Sequence, residues 1–190
     1  MHNEKLLVYV QAMSRLLETR PDEPEILAQG GALLATLVAS DDWLPALFAV
    51  PHPQYYQQYL LYADPLDRFS MVSFVWGPGQ KTPVHDHMTW GLIGMLRGQE
   101  IETPYHRQSD GSYQPGAHHA LVPGQIGFVS PATHDVHEVA NAYSDQTSIS
   151  IHVYGGNIGR IHRHVFDPVT GSTKAFVSGY SLDVVPNLWK

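Results

Sequence analysis

The chain has 190 residues, 43% of them apolar and 15% charged, a length and composition suited to one packed domain rather than several or a disordered chain. Eleven Lys plus Arg stand against eighteen Asp plus Glu, a formal net charge of −7, which argues against binding a nucleic-acid backbone. Twelve His and no Cys exclude disulfides, thiolate metal sites and cysteine nucleophiles together. Any transition-metal site must therefore be built on imidazole, with or without carboxylate.

In chain order, Leu6, Val10, Met13 and Leu17 recur at spacings of 4, 3 and 4, one face of a helix. The prolines of the Arg20–Pro24 segment interrupt it. A second helical pattern follows with Ile26, Leu27, Leu33, Leu34, Leu37 and Val38. Ser40 reads as the N-cap of a short turn through Trp43 and Phe48, and Pro51-His52-Pro53 closes a helical lobe over residues 1–50. The longest apolar run, Gly31–Ala39, is about half of what a bilayer span requires. Met1–Lys5 lead into no run of signal-peptide type, so a cytoplasmic chain with no membrane partner is expected.

From Tyr55 the pattern changes to short runs of β character separated by Gly- and Pro-containing turns. Candidate strands are Gln57–Tyr62, Phe69–Trp76, Thr82–His87, Trp90–Leu96, Gln99–His106, Ala120–Val122, Gly127–Val129, Val136–Val139, Thr147–Tyr154, His162–Phe166 and Lys174–Val177. So many short strands in so short a chain predict a mainly β fold, a closed antiparallel barrel or jelly roll over residues 55–181. The helical lobe is expected to pack against it within a single domain, 1–190.

Two groups of side chains carry chemistry. In Thr82-Pro83-Val84-His85-Asp86-His87, strand alternation places both imidazoles on one face and Asp86 on the other. Further on, Ser148-Ile149-Ser150-Ile151-His152-Val153-Tyr154 alternates polar and apolar residues. Ser150, His152 and Tyr154 are expected to face the barrel interior, with Ile151 and Val153 outside. In that arrangement Ser150 fixes the His152 tautomer and His152 holds the Tyr154 hydroxyl.

The spacing Gly79, five residues, His85-x-His87, three residues, Gly91, six residues, Gly98 resembles the first cupin signature, with Gly91 where that signature usually carries Glu. Pro131 followed by His137-Glu138-Val139-Ala140-Asn141 resembles the second, one residue longer than the common form. The implied metal ligands are His85, His87 and His137, a neutral triad that leaves a divalent ion its full charge and favours anionic ligands. Ligand types alone leave iron and zinc open. The Ser150-His152-Tyr154 arrangement tips the balance toward oxygen chemistry and away from a zinc-bound hydroxide.

Together with Trp90-Gly91-Leu92-Ile93-Gly94-Met95-Leu96-Arg97-Gly98 and Asp135-Val136-His137, these motifs resemble the cysteine dioxygenase family of thiol dioxygenases, in its bacterial branch. The resemblance runs from about Gln54 to Ser181. It implies one Fe(II) per chain, no organic cofactor, and insertion of both atoms of O2 into a small thiol to give a sulfinic acid. Mammalian-type members carry a Cys–Tyr thioether; its Tyr corresponds to Tyr154 and its Cys to Gly91, so this chain cannot form it. Where cysteine-specific members hold an Arg for the substrate carboxylate, this chain has Gln58, which resembles the 3-mercaptopropionate dioxygenases. Arg163, or Arg160 if the loop register differs, fits the second carboxylate-binding position of those enzymes. The expected partners are a small thiol carboxylate and O2, in a monomer or small homo-oligomer. L-Cysteine is the alternative substrate, and a zinc-dependent hydrolase or isomerase or a non-catalytic ligand-binding cupin are the alternative functions.

The remaining histidines, His2, His52, His106, His118, His119, His134, His162 and His164, read as solvated or packing residues. Trp76 and Trp90 read as barrel packing, with Trp90 near enough to line a cavity.

Overall fold

The computed structural model describes residues 4–133 and 135–189; His2 and His134 lie outside them. Helix α1 (Glu4–Glu18) buries Leu6, Tyr9, Val10, Met13 and Leu16. A single turn, α2 (Glu23–Glu25), starts where the Asp22 side chain accepts a hydrogen bond from the Glu25 N–H (2.9 Å), with Pro24 in the first turn, where no N–H is needed. The second helical pattern is not one regular helix. Ile26–Gly30 is wound as a π-turn before α3 (Gly31–Val38). A side chain at Gly30 would meet Leu92 Cδ1 at 2.9 Å, so the backbone lies against the sheet there.

Ser40 is not an N-cap. Its hydroxyl receives Lys5 Nζ (2.8 Å) and donates to Asp42 (2.9 Å), because no helix follows it. The short 3-10 turn at Ala46–Ala49 starts instead after Pro45.

Among the described residues twelve strands follow: β1 (Gln57–Ala63), β2 (Ser70–Trp76), β3 (Val84–His85), β4 (Gly91–Arg97), β5 (Glu100–Arg107), β6 (Tyr113–Pro115), β7 (His119–Leu121), β8 (Ile126–Val129), β9 (His137–Asn141), β10 (Ser148–Tyr154), β11 (Arg163–Phe166) and β12 (Thr173–Phe176). One sheet has the order β1-β2-β10-β4-β8; the other has β12-β11-β3-β9-β5-β6, with β7 also paired to β5. Every pairing is antiparallel. β6 is absent from the sequence reading, and His119 belongs to a strand rather than a loop. The expected strand Thr82–His87 shrinks to two residues, so His87 lies beyond it.

The five-stranded sheet is covered on both faces. On β10, Ile149, Ile151 and Val153 join Met71 and Val75 of β2 and Leu92 and Leu96 of β4 in a core shared with the helical lobe. The alternate residues Val72, Phe74 and Trp76 of β2, Ile93 of β4 and Tyr154 of β10 build a second core. Period-2 alternation therefore sorts each strand between lobe and barrel. At Gly94 a Cβ would stand 2.9 Å from Leu34 and Val38, so α3 can lie directly on β4. Ion pairing of Arg97 with Asp41 (2.7 Å) and a hydrogen bond from Ser130 to Glu23 tie the lobe down at its rim.

Candidate metal centre and its pocket

β3 and β9 pair at one point, His85 opposite His137, and His87 follows two residues on. The three rings sit 4.8–4.9 Å apart, centroid to centroid. One nitrogen from each lies within 4.8 Å of the others, and all three residues are buried. The alternation expected of a strand survives past its end because both flanks are clamped. Asp86 turns outward, accepting the His164 N–H (2.7 Å) and His164 Nδ1 (2.8 Å). Asp135 accepts the backbone N–H groups of His87 (2.9 Å) and Met88 (3.1 Å).

Each imidazole is also anchored through Nδ1: His85 to the Pro83 carbonyl (3.0 Å), His87 to Asp135 (2.9 Å) and His137 to Glu102 (2.8 Å). A carbonyl and two carboxylates can only accept, so Nδ1 carries the proton and Nε2 presents its lone pair, the tautomer a metal ligand needs. Burial holds the pKa of His85 and of His87 well below the ordinary histidine value, reinforced by the neighbouring imidazoles. These residues fit a divalent transition ion.

Behind the triad, Tyr154 Oη lies 2.7 Å from His152 Nδ1, and His152 Nε2 lies 2.8 Å from Ser150 Oγ. The Trp76 indole donates to the same Ser150 oxygen (3.2 Å). Trp76 thus lines the pocket, whereas Trp90 packs against the core shared with the lobe. Burial lowers the His152 pKa to about 3 and raises that of Tyr154; both are neutral at physiological pH. Tyr154 also stacks on His87, centroids 5.4 Å apart. Opposite Tyr154 in register is Gly91, where a Cβ would approach the Tyr154 ring and Val129 to 2.8 Å. No side chain, whether the Glu of other cupins or a Cys, fits there without moving Tyr154.

A cavity of about 150 Å³ opens onto the triad and is lined by Gln58, His85, His87, His137, His152, Tyr154 and Arg163 together with Phe74, Val139 and Phe176. Arg163 is 3% exposed. Its Nη2 donates to Ser178 (2.7 Å), its guanidinium lies 4.6 Å from the Phe176 ring centre, and its Nε has no hydrogen-bond partner. Arg160, by contrast, is exposed. Gln58 Oε1 is likewise buried without a partner, while its backbone is bonded on both sides by Ser181. The sequence reading missed the supporting roles of Asp135 and Glu102, whose partners lie 48 and 35 residues away. It gave His164 only a surface or packing role, although His164 holds Asp86.

Two facing antiparallel sheets closed around inward-pointing imidazoles define a cupin barrel with an N-terminal helical lobe. The chain belongs to the family described as cysteine dioxygenase type I, whose sequence model matches residues 27–167; that membership implies a dioxygenase acting on a thiol. Among solved structures, it is similar to a double-stranded β-helix protein from Klebsiella pneumoniae (18% identity, 58% of this chain and 80% of that one, TM-score 0.45). It is also similar to a cupin superfamily protein from Desulfitobacterium hafniense (16%, 65% and 88%, 0.44) and a cupin 2 conserved barrel domain protein from Salinispora arenicola (18%, 59% and 84%, 0.43). Among the described residues, no helix is long and apolar enough to cross a membrane.

Proposed function

We propose that this chain oxidises a small thiol carboxylate, 3-mercaptopropionate, to its sulfinic acid with O2. The observation that carries the substrate class is Arg163, a buried guanidinium that lines the same cavity as the three histidines and whose Nε has no partner. A buried cation in that position is best satisfied by an anion brought in with the substrate. His85, His87 and His137 would hold Fe(II), which when bound supplies the coordination and redox chemistry that lets a thiol react with O2.

The remaining work falls to the chain itself. Arg163 binds and orients the carboxylate bidentately, and Gln58 hydrogen-bonds beside it. Phe74, Val139 and Phe176 keep the cavity dry, which strengthens the ion pair. Tyr154 holds a hydroxyl proton at the edge of the triad, and His152 and Ser150 fix where that hydroxyl points. The conversion RSH + O2 → RSO2H balances without a further reductant, and no organic cofactor is needed.

L-Cysteine is the second reading, and the unpartnered Gln58 Oε1 favours it, since that oxygen could accept from the substrate ammonium. Against it stands charge: the ammonium would share a small cavity with a buried guanidinium that already carries one positive charge. The test is kcat/KM of the Fe(II)-loaded enzyme for 3-mercaptopropionate, cysteine and cysteamine, by O2 uptake. The expected ranking is 3-mercaptopropionate, then cysteine, then cysteamine, which lacks the carboxylate. Cysteamine in first place would remove Arg163 from substrate binding, and no thiol-dependent uptake would remove the reading altogether.

A further inference from the structure

Arg163 is fixed from outside the cavity by the segment that follows β12. Arg163 and Phe176 stand opposite each other in the β11–β12 register, and the guanidinium lies over the Phe176 ring. Beyond the strand end Val177 is exposed, while Ser178 is half-buried and its hydroxyl accepts from Arg163 Nη2 (2.7 Å). An aromatic face draws a cation close but does not fix the direction of its N–H groups. Among the described residues Ser178 supplies the one hydrogen bond to the guanidinium, so it sets where the remaining N–H groups point. Ser178 does not itself line the cavity.

The same segment reaches Gln58. β12 is the edge of one sheet and β1 the edge of the other, and residues 177–181 cross from the first to the second. Gly179 turns the chain at φ 64°, a left-handed conformation that glycine adopts without strain, and donates its N–H to the Gly159 carbonyl (3.0 Å). The Tyr180 hydroxyl donates to Asn157 Oδ1 (2.5 Å) and accepts the Gly159 N–H (3.1 Å). Ser181 then clamps the Gln58 backbone. Its Oγ accepts the Gln58 N–H (2.9 Å), and its own N–H donates to the Gln58 carbonyl (2.8 Å). One strap therefore holds both polar residues that the cavity offers to a substrate carboxylate, Arg163 through Ser178 and Gln58 through Ser181.

We infer that Ser178 is a positioning residue for substrate selection: carried on the 177–181 strap, it aims the Arg163 guanidinium and so favours thiols that bear a carboxylate. The inference rests on the proposed role of Arg163, and it is read from binding as well as turnover. The test is calorimetric titration of the protein, loaded with redox-inert Zn(II) and kept free of O2, with 3-mercaptopropionate and with cysteamine. Ser178→Ala should raise the Kd of 3-mercaptopropionate by about 10-fold, the usual worth of a hydrogen bond to a charged group, and leave that of cysteamine within about twofold. Ser178→Thr, which keeps the acceptor oxygen, should restore the affinity. Val177→Ala, on the exposed side of the same strap, should change neither Kd. In the Fe(II)-loaded enzyme the loss in Ser178→Ala should fall on KM and spare kcat. An unchanged Kd for 3-mercaptopropionate in Ser178→Ala, or an equal rise for both thiols, would overturn the inference. Arg163→Ala separates it from the reading beneath it. If that variant raises the Kd of 3-mercaptopropionate and Ser178→Ala does not, only the role of Ser178 falls; if neither does, the carboxylate role of Arg163 falls with it.

Discussion

Arg163 and Gly91 show how much of the site rests on single side chains. Arg163 is held by Ser178 and Phe176, and its buried Nε–H has no partner. Arg163→Ala should therefore lower kcat/KM for 3-mercaptopropionate by about 10²-fold or more, the usual cost of truncating one partner of a buried charge pair. Its effect on cysteamine should stay within about threefold if the guanidinium acts only on the carboxylate. Gly91→Ala places a methyl group where the Tyr154 ring now lies, 2.8 Å away. It should lower kcat by about 10-fold or more through a displaced hydroxyl while the protein still binds one metal ion, a split that steady-state kinetics and metal analysis resolve. The two-residue spacings of His85 with His87, and of Ser150, His152 and Tyr154, were legible in the sequence because period-2 alternation puts such residues on one face, although at His87 the alternation is kept past the end of β3 by Asp86 and Asp135. Glu102 and Asp135 were not, because each holds an imidazole brought near only by folding.

β10 carries the link between the chemistry and the helical lobe. One face presents Ser150, His152 and Tyr154 to the pocket, and the other buries Ile149, Ile151 and Val153 beneath α1 and α3. Ile151→Ala should cost about 2–5 kcal/mol of stability, as for other fully buried aliphatic truncations, measured by urea unfolding. Alternation made this strand readable from sequence, and the 3.6-residue period made α1 readable. The second helix was read as continuous because Ile26–Val38 keeps an apolar pattern through a π-turn that the pattern does not register. β3 was overextended because the β-like Thr82–His87 segment pairs only at Val84 and His85, with carboxylates holding its end. β6 escaped because its three residues, Tyr113–Pro115, carry no run of β-formers.

For the whole molecule, the buried titratable groups predict opposing pH effects on stability. His152 has a folded pKa of about 3 against an unfolded value of 6.5, so between these the unfolded chain binds the extra proton. Its contribution is complete above pH 6.5 and is lost as the pH falls toward 3, at about 1.4 kcal/mol per unit. Glu100 is raised from 4.5 to about 7, so here the folded chain holds the proton. Its contribution is complete below pH 4.5 and is lost as the pH rises through 7. Relative to wild type, the Tm of Glu100→Gln should therefore rise between pH 4.5 and 7; a flat difference across that range would contradict this assignment. The net charge of −7 makes the buried guanidinium more telling, since an anionic substrate must be drawn in by a local cation rather than by the field of the whole chain.

The most direct measurement is the fate of oxygen during turnover of 3-mercaptopropionate by the Fe(II)-loaded protein under 18O2. Both oxygens of the sulfinate product should be 18O, with one O2 consumed per product formed. A product carrying solvent oxygen, or turnover that persists without O2, would contradict the account.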